Sequence, residues 1–171
     1  MIDTLRLISI KDISPESKLK RFDCEIEPLN VYLSRYALKN DELGICKTFT
    51  AVTEDNEIAG YFTLSTAEVS YEEIPDECRL RLPRYPIPAL RIARLAVDKK
   101  MKGKGIGKWL LSRAFIKTLQ VAEVTGLYLI IVDAKDSSKT FYENYGFKSF
   151  LDKKLSYFIL VDTVRKAIQA S

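Results

Sequence analysis

Histidine is missing from the 171 residues, and cysteine occurs only three times. Without histidine the commonest side-chain proton shuttle is gone, together with Ser-His-Asp and Cys-His nucleophilic schemes and most zinc sites. Cys24, Cys46 and Cys78 are odd in number, far apart and without a CxxC pair, so neither a disulfide framework nor a metal centre is expected. Long apolar runs are lacking too: none approaches the roughly 20 residues needed to span a bilayer. The opening "MIDTLRLISIKDISPESK" alternates apolar and polar residues and meets Asp12 early, unlike a signal peptide. The expectation is a soluble cytoplasmic protein with no membrane partner.

Apolar residues make up 47% of the chain and charged residues 29%, which places it among globular proteins and excludes wholesale disorder. A chain of this length buries a sufficient core as one domain, residues 1–171. The net charge of +4 is modest but unevenly spread. Basic residues gather at Lys18, Lys20 and Arg21, at Arg79, Arg81 and Arg84, and at Lys99, Lys100, Lys102, Lys104 and Lys108. A single cluster reads as a solvated face, whereas several together favour a polyanionic partner.

"LRLISI" predicts a first strand by its alternation, and "EPLNVYLSRYALKNDELG" a helix with Leu29, Tyr32, Leu33, Tyr36 and Ala37 at helical spacing, stopped at Gly44. Two strand-like runs around "EDN" predict a hairpin. Four prolines in "YEEIPDECRLRLPRYPIP" predict a surface loop that is neither regular helix nor central strand, leading into the strand "ALRIARLAV". After a glycine-rich turn, Leu111, Phe115, Leu119 and Ala122 mark one face of a helix ending near Gly126. "LYLIIVDA" has the apolar character of a strand covered on both faces. "SSKTFYENYG" predicts a short helix closed by Gly146, and "LSYFILVD" a last strand before a short amphipathic tail. This order implies one α/β domain with a mixed sheet.

The turn itself, in "RLAVDKKMKGKGIGKWLL", places Gly103, Gly105 and Gly107 alternately among lysines between a strand and a helix. Glycines free the backbone to turn and expose N–H groups, and the lysines make the turn electropositive, a combination suited to an anion. A Walker A loop is excluded, because Trp109 follows Gly107-Lys108 and Lys102 stands where the first glycine belongs. The GxGxG spacing also departs from the GxGxxG of dinucleotide folds.

The run from Lys102 to Gly107 resembles the acyl-CoA loop of the GNAT acetyltransferase superfamily, with Lys102 where that family usually has Gln or Arg. The resemblance extends over nearly the whole chain. "FDCEIEPLNVYLSRYA", "IAGYFTLSTAEV", "YPIPALRIARLAVD" and "AKDSSKTFYENYGF" look most like the GNAT toxins of bacterial toxin–antitoxin modules, which acetylate the α-amine of aminoacyl-tRNA and so block translation. It implies an α+β GNAT fold, a central mixed, mostly antiparallel sheet splayed at the acyl-CoA site and flanked by helices. Acetyl-CoA is the implied cofactor, held by the backbone of Lys102, Gly103, Lys104, Gly105, Ile106, Gly107 and Lys108, by strand residues Leu95, Ala96 and Val97, and near Asp133 and Ser138. Tyr142 is the implied proton donor and the Val97 N–H the implied oxyanion donor, while Phe141, Tyr145 and Phe147 are expected in the core. Implied partners are an aminoacyl-tRNA, a DNA-binding antitoxin and a second copy of the chain. Candidate tRNA contacts are Lys18, Lys20, Arg21, Arg79, Arg81, Arg84 and Arg91, with Arg94 structural in its strand.

The chemistry is feasible without histidine. A lysine amine near pKa 10.4 is less than about a tenth of a percent neutral at pH 7, but an α-amine near 7.7 to 8 is roughly a tenth neutral, and esterification lowers it further. A weak base or a water relay then suffices, with carboxylates such as Glu68 as further candidates. Direct transfer without an acetyl-cysteine is expected, since all three cysteines lie outside the cofactor strands. The alternatives left by the sequence are a GNAT acting on a protein or small-molecule amine, and a non-catalytic module binding coenzyme A or nucleic acid.

Overall fold

A computed structural model describes residues 2–153 and 156–171. Seven strands form one sheet in the order β1-β2-β3-β4-β5-β7-β6. They are β1 (Arg6–Ser9), β2 (Lys47–Val52), β3 (Ile58–Val69), β4 (Ile87–Val97), β5 (Leu129–Asp133), β6 (Lys148–Ser149) and β7 (Ser156–Leu160). β1 and β2, β2 and β3, β5 and β7, and β6 and β7 pair antiparallel, whereas β4 and β5 run parallel. The mixed sheet and the helices around it match the α+β expectation.

The helices are α1 (Glu27–Val31), α2 (Ala37–Glu42), α3 (Asp76–Arg79), α4 (Ile106–Ala122), α5 (Lys139–Asn144) and α6 (Val161–Gln169). The predicted helix at 27–44 is present but interrupted. A π-helical turn at Tyr32–Tyr36 separates α1 from α2, and Gly44, at φ +74°, lies just beyond the end of α2. The Pro-rich segment does contain one helical turn, α3, and β4 starts at Ile87, so that Pro88 lies inside it. Pro88 is tolerated because its carbonyl accepts from Tyr128 N–H at 3.0 Å and only its missing donor is lost. On α4, Ile106, Trp109, Leu110 and Leu111 are buried in the first turns, and the buried stripe continues through Ala114 and Thr118. It is rotated from the predicted one, leaving Phe115, Leu119 and Ala122 half-buried. The strand expected over "LSYFILVD" ends early, at Leu160, because Val161 and Asp162 begin α6; its Leu155 lies outside the described residues.

The chain divides into two compact units. The first, residues 1–65 and 93–114, has a core containing Phe22, Cys24, Tyr32, Leu33, Tyr61 and Ala96. The second, residues 66–92 and 115–171, is built around Val69, Ile74, Ile87, Leu129, Ile131 and Phe158. In β5, Leu129 to Val132 are all buried, the outcome expected of a strand covered on both faces.

Candidate active site

In the first unit the site is organised by Asp98, the last residue of "RLAVD". Its N–H donates to Ala59 O at 2.9 Å. One carboxylate oxygen accepts from Lys100 N–H at 2.9 Å, and the other from Asp23 N–H at 3.0 Å. The start of the glycine turn is thereby tied to β3 and to the segment ahead of α1. Asp23 extends the tie: Lys99 donates through its amine at 2.6 Å, and Asn30 donates at 2.9 Å. Hydrogen bonding from Lys99, Glu25 N–H and Asn30 holds the Asp23 carboxyl down at about 2. Lys102 is likewise engaged, by Glu25 at 2.6 Å, which raises its pKa.

Beyond this clamp the turn is open. Gly103 and Gly105 have φ of +75° and +79°, the left-handed region that favours glycine, and a Cβ at Gly103 would meet nothing within 4 Å. Conformation, not space, selects glycine there. Gly105 O accepts from Trp109 N–H at 3.0 Å, so the N–H groups of Ile106, Gly107 and Lys108 precede the first intrahelical bond of the 17-residue α4. Lys104 and Lys108 are exposed, and neither has an ion-pair partner among the described residues. Free amides, a helix N-terminus and two unpaired ammonium groups form a cradle that a diphosphate fits.

Strand β4 supplies the second part. The Pro88 carbonyl faces Tyr128 on the β5 side, yet the Asp98 N–H faces Ala59 on the β3 side. The ladder with β5 runs over Ala89 to Ile92 only. Counting back from Asp98, the Val97 N–H faces away from β3; Ala96 is buried, while Leu95 and Val97 are half-buried. Gly60 of β3 permits the close packing here, since a Cβ on it would lie 2.7 Å from Ala96 O.

In the second unit, Tyr142 of α5 is buried, its ring edge-on to Phe141 at 5.1 Å and to Phe147 at 5.4 Å. Burial alone lifts its pKa to about 12. Among the described residues its hydroxyl has no hydrogen-bond partner and no buried polar side-chain atom is left unpaired, so that hydroxyl reaches solvent. Gly146, at φ +91°, turns the chain so that Phe147 returns against Tyr142. Of the expected core aromatics only Phe147 is fully buried, while Phe141 and Tyr145 are half-buried. Asp133 accepts from Arg91 at 2.5 Å and from Ser156 at 2.7 Å, and Ser138 sits half-buried at the start of α5.

The tRNA candidates fall in different settings. Lys18, Lys20 and Arg21 share one 3-10 turn, Glu16–Arg21. Lys20 and Arg21 line an open hollow of about 700 Å³ with Arg35, a residue the charge clusters did not single out because it stands alone in its helix. Arg21 also pairs with Glu57 at 3.1 Å. In the second unit Arg79 is paired with Asp76 and lies over the Tyr71 ring, while Arg81 and Arg84 are exposed. Glu68 is exposed on β3. Asp98, Asp23 and Glu25 were not anticipated, because an acidic clamp on a basic turn leaves no signal in local charge or periodicity.

A model of the acetyltransferase (GNAT) domain matches residues 46–149. The chain belongs to the GNAT acetyltransferase family. It is 30% identical over 157 residues to the tRNA-acetylating toxin of Mycobacterium tuberculosis, covering 91% of this chain and 93% of the relative. A tyrosine mutant of KacT has the same fold, with TM-score 0.89, 23% identity and coverage of 96% and 99% of the two chains. AtaT complexed with acetyl-methionyl-tRNAfMet gives TM-score 0.87 at 22% identity, covering 96% and 99%. A mutant AtaT bound to the C-terminus of the antitoxin AtaR and acetyl-CoA gives 0.82 at 21% identity, covering 97% and 99%. No described helix is long and apolar enough to cross a membrane.

Proposed function

We propose that residues 1–171 act as one domain that acetylates the α-amine of aminoacyl-tRNA with acetyl-CoA, and so blocks translation as a cytoplasmic toxin. The observation that carries this is the turn ahead of α4, where left-handed glycines, free amides and unpaired Lys104 and Lys108 form an anion cradle in a chain 30% identical to a tRNA-acetylating toxin. Acetyl-CoA supplies the acetyl group as an activated thioester. Amides of residues 102–108 hold its diphosphate, and backbone groups of Leu95, Ala96 and Val97 align its arm in the manner of an added strand. The Val97 N–H donates where negative charge builds on the carbonyl oxygen. Tyr142, kept protonated up to a pKa of about 12, holds its hydroxyl proton for the departing sulfur.

An ester-linked α-amine is largely its own activator, which suits a chain without histidine. Cys24 and Cys46 are buried and Cys78 is half-buried, which supports direct transfer. The basic turn Glu16–Arg21 and Arg35 provide phosphate contacts for an acceptor stem. The partner we propose is an antitoxin with a DNA-binding fold whose tail covers the substrate face; AtaT bound to the C-terminus of AtaR and the KacTA–DNA complex support an antitoxin of that kind, and self-association of the chain is part of the same proposal.

Incubation with acetyl-CoA and total charged tRNA, read by mass spectrometry, is expected to give N-acetyl-aminoacyl products that fall by about 100-fold or more with Tyr142→Phe, the lower range for a lost general acid. Turnover of a protein or metabolite amine with none on charged tRNA overturns the proposal.

A further inference from the structure

Four arginines are partly buried: Arg79, Arg91, Arg94 and Arg165. Three of them are paired with an aspartate: Arg79 with Asp76, Arg91 with Asp133 and Arg165 with Asp162. Arg94 is the exception. Its guanidinium carbon lies 3.5 Å from the centroid of the Tyr32 ring, face to face with a buried aromatic, and its N–H donors have no acceptor among the described residues.

This arrangement is more than a packing contact. The Tyr32 hydroxyl is fixed at 3.0 Å from Cys46 Sγ, and Tyr32 opens the π-helical turn Tyr32–Tyr36. Such turns widen a helix locally and concentrate at functional sites. The ring therefore holds the guanidinium plane in one orientation while leaving its edge, where all five donors lie, uncommitted. A guanidinium stacked this way is preorganised for bidentate recognition, and the planar fork matches two oxygens of a phosphate. The nearest carboxylate in sequence, Asp98, just beyond the strand, already accepts from Asp23 N–H and Lys100 N–H.

Position on β4 identifies which phosphate. Arg94 precedes Val97 by three residues, about 10 Å of strand. In an aminoacyl-tRNA, eight bonds separate the α-nitrogen from the phosphorus of the terminal phosphodiester, about 10 Å when extended. The ester carbonyl lies only two bonds from the nitrogen, too close to the Val97 end. The geometry points to Arg94, held flat on Tyr32, as the residue that binds the 3′-terminal phosphodiester of the acceptor and so places the amine. This inference rests on the aminoacyl-tRNA reading and assigns Arg94 a positioning role, in contrast to the purely structural one expected from sequence.

The test compares two acceptors, an aminoacylated CCA-ended tRNA and the matching 3′-aminoacyl adenosine, which keeps amine, ester and ribose but has no phosphodiester. Arg94→Ala is expected to raise KM for the tRNA by about 10- to 100-fold, the weight of one charge-assisted bidentate contact. KM for acetyl-CoA and the rate on aminoacyl adenosine stay as in wild type. Arg94→Lys should fall between, since it keeps charge without the fork. Anisotropy of an uncharged, labelled CCA oligonucleotide supplies a binding readout independent of turnover, with the same order of variants. Equal loss on both acceptors, or unchanged KM and unchanged oligonucleotide binding, overturns the inference; if Arg94→Ala does not fold, Arg94→Lys and Arg94→Gln are held to the same comparison. Wild-type turnover of the two acceptors tests the broader reading separately from the ratio of variant losses.

Discussion

At the scale of single residues, the two titrating groups that matter are displaced in opposite directions. Tyr142 is an acid whose pKa is raised by burial, so the folded state binds the phenolic proton more tightly than the unfolded chain. Its contribution to stability is present below about 10 and is lost as pH rises from there through about 12. On the proposed mechanism the consequence is a proton donor that survives alkaline conditions. The alkaline limb of acetyl transfer at saturating substrates is expected above pH 10, and a limb centred near 10, where an ordinary tyrosine titrates, contradicts the buried placement. Asp23 is an acid with a lowered pKa, so its support of the turn is present above about 4 and lost as pH falls through about 2. Asp23→Asn should leave the fold intact at neutral pH and raise KM for acetyl-CoA by a few-fold, measured by initial rates; an unchanged KM would separate the clamp from cofactor binding. Gly60 is a steric case. With Ala96 O and a Leu110 methyl each 2.7 Å from its Cβ position, Gly60→Ala should destabilise by about 1–3 kcal/mol in chemical denaturation. A neutral result would show that β3 and β4 can part at no cost.

At the scale of elements, the turn into α4 was the most legible part of the chain. Alternate glycines among lysines, between a strand and a helix, follow directly from what an anion cradle needs, and the structure adds that only Gly103 and Gly105 use positive φ. Gly107 has already entered the helix. The lysines were not resolvable from sequence: Lys99 and Lys102 are spent on Asp23 and Glu25, some 75 residues earlier in the chain, whereas Lys104 and Lys108 have no ion-pair partner among the described residues. Charge clusters count residues but do not see partners distant in sequence, and for the same reason Arg91 looked like a free cation when it holds Asp133. Likewise, the π-turn within the 27–42 helix changes the hydrogen-bonding step without changing composition, so periodicity reported one helix. Lys104→Glu should weaken acetyl-CoA binding by about tenfold at low salt, with the effect shrinking as ionic strength rises. Isothermal titration across a salt series checks this, and a salt-independent loss would point to a backbone change instead.

At the scale of the whole molecule, the strand and helix order was legible because each element has a strong local period and most boundaries carry glycine or proline. The differences lie where tertiary packing overrides pattern, as in the rotated buried stripe of α4, or where an element is too short to show a period, as in β6 and α3. The functional division of the chain follows from charge and chemistry together. On the proposed reading the turn before α4 takes the anionic cofactor, the basic turn Glu16–Arg21 and Arg35 take a nucleic acid, and the lack of a histidine base favours an acceptor amine that is already partly neutral. The most direct measurement is therefore a competition for acetyl-CoA in one tube at pH 7 between aminoacyl-tRNA and a lysine-containing peptide, with kcat/KM read for each product by mass spectrometry. The difference in neutral amine alone predicts a preference for aminoacyl-tRNA of about 100-fold or more. Equal rates, or a faster rate on the peptide, would contradict the assignment of aminoacyl-tRNA as the substrate.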